Sequence, residues 1–211
     1  ADGMECAIDH YNDDIIYSES QYGGLRKSWN GGNSWDNIKP VTNEGAWNTP
    51  YAMHPVNSNL LVIGYDEVYK TTSGGAKWDS ISFNVSNGQA VRSIALAASN
   101  EDYIYAASYS KIKVTKDGGQ SWTYIKPGLA NYNMTDIAVS TNNADRAWVT
   151  FSDYNNVHKV YETNDAGSSW TNISGSSLPA LPVNCIVYQG GANDDLYIGT
   201  DVGVYYKNNT M

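Results

Sequence analysis

Hydrophobic positions fall in short groups of three or four, separated by turns rich in Asn, Asp, Ser and Pro. Ala7-Ile8-Asp9 is followed by Ile15-Ile16-Tyr17, and Ala52-Met53-His54 by Leu60-Leu61-Val62-Ile63. Ile94-Ala95-Leu96 is followed by Tyr103-Ile104-Tyr105, and Ile137-Ala138-Val139 by Ala147-Trp148-Val149. A fifth pair is Ile186-Val187-Tyr188 and Leu196-Tyr197-Ile198. Linkers such as Asn12-Asp13-Asp14 suit turns, because these side chains bond nearby backbone. Each group is too short for a helix and predicts a pair of antiparallel strands. The first strand of each pair is nearly all apolar and small, which predicts burial on both faces at the centre of the molecule. A third strand, such as Lys111-Ile112-Lys113-Val114, and a fourth, such as Trp122-Thr123-Tyr124-Ile125, mix polar and apolar positions as half-buried strands do.

Between the third and fourth strands lies a recurring corner. Its copies are Ser28 to Trp35, Thr71 to Trp78, Thr115 to Trp122 and Thr163 to Trp170, with the frame Ser/Thr-x-Asp(Asn/Ser)-x-Gly-x-x-Trp. The Trp residues are 43, 44 and 48 positions apart. A period in the forties with strand-like flanks predicts an all-β fold: a β-propeller of four-stranded antiparallel blades. Blades are expected at about 7–39, 50–82, 92–126 and 135–174, with a partial fifth at 184–211, forming one propeller segment of residues 1–211. The fifth copy reaches Lys207-Asn208-Asn209-Thr210-Met211 where its corner is due. This predicts either a piece of a larger ring or a chain that closes a ring with a second copy.

The third corner position can accept backbone N–H bonds, Gly allows positive φ, and Trp anchors the turn. Recurrence in every blade assigns a structural role to Asn30, Gly32, Trp35, Ser73, Gly75, Trp78, Asp117, Gly119, Trp122, Asp165, Gly167 and Trp170.

Composition adds limits. Hydrophobic residues make up 41% and charged residues 17%, a folded composition, and 17 Tyr with 7 Trp suit strands that meet both core and water. The net charge of −9 disfavours nucleic acid as a partner. No apolar run approaches the roughly 18 residues that span a bilayer. Cys6 and Cys185 are too few for a disulfide framework, and they read as unpaired core residues or as one bridge between neighbouring copies. His10, His54 and His158 show no metal spacing, no cofactor is predicted, and calcium is the only ion that the acidity suggests. Sequons at Asn84, Asn133, Asn172 and Asn208 are expected by chance in so Asn-rich a chain.

From about residue 7 onward, the corners resemble the Asp-box (BNR) repeats of bacterial neuraminidases, xyloglucanases and sortilin-type propellers. The second corner departs from that pattern at Ser73 and Lys77. The stretches Asp2–Asp9, Trp148–Ser152 and Tyr197–Tyr206 are similar to secreted Bacteroidetes-type proteins that join such propellers to a C-terminal sorting signal. That resemblance implies a secreted or cell-surface setting.

In such propellers the site lies on the face opposite the corners. Here that face is expected to present Glu19, Tyr22, Trp47, Asp66, Tyr109, Asp153, Tyr154 and Asp201. Aromatic rings stack on sugar faces and carboxylates grip hydroxyls, so a non-catalytic propeller binding a glycan or a protein is the first reading. The alternative is a glycoside hydrolase. Thr200-Asp201-Val202-Gly203 is similar to the xyloglucanase segment carrying a catalytic Asp, with Asp66 as candidate partner, but Val204-Tyr205-Tyr206-Lys207 departs from that family. Arg26, Arg92 and Arg146 lack a sialidase-like setting and read as structural.

Overall fold

The structure, a computed structural model, describes residues 3–82, 85, 88–155 and 157–211. Every regular element among them is a β-strand, and every pairing is antiparallel. The first sheet holds β1 (Gly3–Ile8), β2 (Ile16–Ser20), β3 (Gly24–Ser28) and β4 (Asp36–Asn37) in sequence order. The second holds β5 (Tyr51–His54), β6 (Asn57–Gly64), β7 (Val68–Thr71) and β8 (Asp79–Ser80). The third holds β9 (Ser93–Leu96), β10 (Ile104–Ala107), β11 (Ile112–Thr115) and β12 (Thr123–Tyr124). The fourth holds β13 (Asn133–Val139), β14 (Ala147–Ser152), β15 (Val160–Thr163) and β16 (Thr171–Asn172). The fifth has three strands, β17 (Val183–Gln189), β18 (Asp195–Thr200) and β19 (Gly203–Lys207). The sequon at Asn84 lies outside the described residues.

The first strands of successive sheets touch one another, β5 against β9, β9 against β13 and β13 against β17. Four apolar clusters fill the spaces between neighbouring sheets. The second strands explain how one run serves two clusters. In β6, Leu61 and Ile63 join the cluster shared with the first sheet, and Leu60 and Val62 join the one shared with the third. In β10, Ile104 and Ala106 face back while Tyr105 and Ala107 face forward. Period-2 alternation thus feeds two interfaces, which is why the run Leu60-Leu61-Val62-Ile63 carries no polar residue.

This corrects one expectation. The strand buried on both faces is the second, not the first: β10 is buried throughout and β14 for all but its last residue, whereas β1 and β17 are exposed at half or more of their positions. A second strand has ladder partners on both edges and a sheet on both faces, while a first strand has an open edge. Cys6 and Cys185 sit on those exposed first strands as free thiols, not in the core.

The corners tie each sheet together at one end. The Oγ of Ser28 and the Oγ1 of Thr71, Thr115 and Thr163 accept the N–H of Gly32, Gly75, Gly119 and Gly167 at 2.8–3.1 Å. The third residue accepts the N–H four positions on: Asn30 from Ser34, Ser73 from Lys77, Asp117 from Ser121 and Asp165 from Ser169, at 2.8–3.0 Å. Asp117 and Asp165 also accept the hydroxyls of Ser121 and Ser169, and these bonds hold both carboxyls down at about 2. One residue before the corner Gly, an N–H bonds the turn between the first two strands or the start of the second: Gly31 to Asp14, Gly74 to Asn59, Gly118 to Asp102 and Ala166 to Asp145. Corners and first turns therefore share one end of the sheets.

Candidate functional site

The turns between second and third strands, and the links between sheets, lie at the opposite end. Backbone bonds join them: Tyr22 N–H to the Trp47 carbonyl at 3.2 Å, Val91 N–H to Tyr65 at 2.6 Å, and Met134 N–H to Tyr109 at 3.0 Å. Tyr22 has a φ of 62° and turns its ring edge-on to Trp47, with centroids 5.2 Å apart. Both rings are open to solvent, at 39% and 51% exposure. Tyr109 is exposed with the Arg92 guanidinium 4.1 Å above its ring. Tyr154 is exposed, and Asp153 below it accepts the Tyr154 N–H and the Asn155 amide while its carbonyl takes the Lys159 ammonium. Asp66 is exposed in the second sheet's turn and accepts the Glu67 N–H at 3.0 Å. Asp201 is exposed in the fifth sheet's turn and accepts the Asn184 amide at 2.7 Å.

Glu19 is not on this face. It lies in β2 two positions after Tyr17, so alternation turns it into the contact with the second sheet, where it is 2% exposed and accepts the Thr49 N–H at 2.8 Å. Burial pushes its carboxyl up to about 7, against the Thr49 bond. The folded chain thus holds this proton more tightly than the unfolded one. Its stabilising contribution is complete below about pH 4.5 and is lost as pH rises through about 7. Glu19→Gln keeps the acceptor and removes the charge. It is expected to raise stability by about 1–2 kcal/mol at pH 8, after allowance for solvent screening, and to leave it unchanged at pH 4. Urea unfolding at the two pH values measures this.

Two polar centres escape a reading of motifs. Asp136 in β13 accepts the Ser93 hydroxyl at 3.0 Å, its neighbour's Ile137 N–H at 2.9 Å and the Ile186 N–H at 3.0 Å, joining the third, fourth and fifth sheets. Arg146 bonds Glu162 at 2.7 Å and Asp194 at 2.7 Å and lies over the Trp148 ring, itself stacked on Tyr188. The structural role expected of Arg146 fits this clamp between the fourth and fifth sheets. Among the described residues no group of three or more His, Cys, Asp or Glu side chains is placed to hold a metal ion. No helix among them is long and apolar enough to cross a membrane.

A cavity of about 270 Å³ lies between the fourth and fifth sheets, lined by Val160, Ile173, Leu178, Leu196, Ile198 and Tyr205 among others. A smaller one of about 120 Å³ opens beside Arg146 and Asp194. Neither is lined by Asp66, Asp201 or the exposed aromatic residues of the loop face.

Solved structures with the same arrangement include three GH74 proteins. An ancestral GH74 enzyme superposes with a TM-score of 0.72 at 19% identity, over 99% of this chain and 30% of that one. The fold is a β-propeller. The GH74 xyloglucanase from Xanthomonas campestris matches with a TM-score of 0.65 at 15% identity, over 96% of this chain and 37% of its own. The Niastella koreensis GH74 enzyme gives 0.52 at 18% identity, over 97% and 44%. Among curated proteins, the Photosystem II assembly lipoprotein Ycf48 of Synechococcus sp. (strain CC9902) is 28% identical over 116 residues, 54% of this chain and 33% of that protein. No protein-family model matches. The chain spans about a third of that curated relative and 30–44% of the solved propellers. Within the propeller, each sheet is a blade and each apolar cluster a blade interface.

Proposed function

We propose that this propeller segment is a non-catalytic binding module of a secreted or cell-surface protein, that its corners are Asp-box corners, and that it takes a glycan or protein ligand on the loop face. One observation carries the reading: Tyr22 and Trp47 form an open aromatic pair on that face, a surface suited to stacking on a sugar ring. Isothermal titration against a panel of β-glucans, xyloglucan included, tests it. Trp47→Ala is expected to weaken binding at least about tenfold, the loss of one aromatic anchor. Binding unchanged by Trp47→Ala would remove the pair from the site.

A glycoside hydrolase is the second reading, favoured by the GH74 neighbours. It requires two carboxylates across a cleft, one acid and one base. Asp66 belongs to the second blade and Asp201 to the fifth, and neither lines a described cavity. Hydrolysis of xyloglucan that Asp201→Ala abolishes would establish this reading in place of the first.

A further inference from the structure

Charge is sorted by end within the third blade. Residues 80–135 include five basic side chains, Arg92, Lys111, Lys113, Lys116 and Lys126, and three acidic ones, Glu101, Asp102 and Asp117. All three acids lie at the corner end. Asp117 belongs to the corner itself, the Asp102 carbonyl takes the Gly118 N–H at 3.0 Å, and Glu101 accepts the Asn57 amide at 2.9 Å. Lys116 is there too, paired with Asp145 at 3.1 Å. At the loop end stand Arg92, one residue before β9, Lys111, one residue before β11, and Lys126, two residues after β12. Among the described residues none of these three is in an ion pair. The blade thus presents a cationic stripe in a chain whose net charge is −9.

Two of these cations sit on exposed rings. The Arg92 guanidinium lies 4.1 Å above Tyr109, and the Lys111 ammonium is 5.1 Å from the centre of the Tyr124 ring. Tyr109 is 41% and Tyr124 44% exposed. Stacking uses the face of a guanidinium and leaves its edge N–H groups, a flat fork that matches a carboxylate. Exposed Gln89 accepts the Ser108 and Ser110 hydroxyls at 2.9 and 3.2 Å through its amide oxygen, so its N–H₂ is the donor end beside this turn. Lys126 reaches the Asn131 amide oxygen at 3.1 Å. Burial lowers the pKa of Arg92 and of Lys126, and the Lys111 charge lowers that of Lys126 further. Like charges gathered in this way repel one another, and an anion brought to them relieves the repulsion. The loop ends on either side carry Asp66 and Glu67 in the second blade and Asp153 in the fourth, which confine an anion to the third.

We propose that the loop end of the third blade is a subsite for a uronic acid residue of an acidic glycan, with Arg92 as the fork for its carboxylate, Lys111 and Lys126 as flanking charges and Tyr109 beside the sugar ring. A uronate joins a carboxylate to an apolar ring face, and cation–tyrosine pairs complement both. An acidic peptide offers the charge without the ring. Such a subsite presupposes that the loop face is the ligand face, and it narrows the glycan bound there to an acidic one.

The test is isothermal titration of the 211-residue chain with an α-1,4-linked tetragalacturonate, its methyl ester and a tetraglutamate peptide. Saturable binding of the free acid is expected. It should be at least about tenfold tighter than that of the ester, which keeps the rings and loses the charge, or of the peptide, which keeps the charge and loses the rings. Affinity is expected to fall as salt is raised from about 0.02 M to about 0.2 M. Arg92→Gln is expected to weaken binding at least about tenfold, as loss of a charged anchor does. Lys116→Gln removes one positive charge at the corner end and is expected to leave binding unchanged. The ester comparison needs no variant, so the result does not depend on whether Arg92→Gln folds. Equal binding of acid and ester, or of acid and peptide, overturns the proposal, as does an equal loss in Arg92→Gln and Lys116→Gln. If the acid does not bind while a neutral β-glucan binds through Trp47, the subsite falls and the loop-face reading stands. If neither binds, both fall.

Discussion

Gly119→Ala is expected to lower the free energy of unfolding by about 3 kcal/mol, the sum of a strained backbone and a steric contact. Gly119 has a φ of 104°, where an L side chain is strained, and this costs about 1–3 kcal/mol. The new methyl would also lie 2.5 Å from the Ile81 Cβ and 2.9 Å from the Ile81 carbonyl oxygen. Overpacking of this kind adds about 1–3 kcal/mol. Ile81 has little freedom to retreat, because its N–H is bonded to Val68 and its carbonyl to the Trp122 indole. Gly88→Ala is the matched control. Its φ is also positive, at 76°, but a methyl there meets nothing within 4 Å, so only strain of about 1 kcal/mol is expected. Urea midpoints of the two variants separate conformation from contact. If Gly119→Ala were no worse than Gly88→Ala, the seating of corners on the preceding blade would not limit stability.

That contact shows which parts of the molecule were legible in the sequence. The Gly and Trp of each corner recur at near-constant spacing, and their roles are local: a hydroxyl or carboxylate closes a loop of four or five residues. Local chemistry repeats with the blade, so it shows as a motif. The all-β class and the number of strands per blade followed from it. The partner of each of the last three corners is in the preceding blade, some forty positions earlier. Ile81 and Ile125 are visible as apolar residues, but nothing in one copy of the repeat says that they carry the next one. The assignment of double-faced burial to the first strand failed for a related reason. Ala-Ile-Asp and Leu-Leu-Val-Ile are both short apolar runs, and only the positions of neighbouring sheets distinguish them.

Single polar residues were harder still. Glu19 was expected on the loop face with the turn between the second and third strands, yet the strand extends through Ser20 and alternation buries it. Asp153, Tyr154, Tyr22 and Trp47 fall on turns and links whose position follows from the order of strands. Whether they form one site depends on the ring's curvature, which short-range patterns do not encode. Arg146 follows a hairpin turn with no motif around it, and its carboxylate partners Glu162 and Asp194 come from a third strand and from the next blade. In a radial array many long-range pairs lie between blades, and the polar ones are made by single residues that do not recur from blade to blade.

Asp136 is such a residue, and Asp136→Ala is expected to cost about 3 kcal/mol, the loss of a buried acceptor shared by several donors. The carboxylate has three neutral donors, from Ser93 in the third blade, Ile137 beside it and Ile186 in the fifth. Burial raises its pKa, and the bonds from Ile186, Ile137 and Ser93 pull it back. Alanine strands the Ile186 N–H between packed strands, while the Ile137 N–H keeps a second acceptor, the Ser93 hydroxyl oxygen at 3.1 Å. A buried donor so stranded costs about 1–3 kcal/mol, and bonds to a charged acceptor are worth about 1.5–3 kcal/mol. The Ser93 hydroxyl can rotate to another acceptor, so Ser93→Ala is expected to cost only about 1 kcal/mol. Asp136→Asn retains one acceptor but turns an amide N–H₂ toward a donor, so it falls between the two. Urea unfolding of the three variants at pH 7 is expected to rank Asp136→Ala as the least stable, Asp136→Asn next and Ser93→Ala as the most stable. If Asp136→Ala stayed within about 1 kcal/mol of the parent chain, the meeting of β9, β13 and β17 would rest on apolar contact alone, and this carboxylate would be dispensable to the joining of three blades.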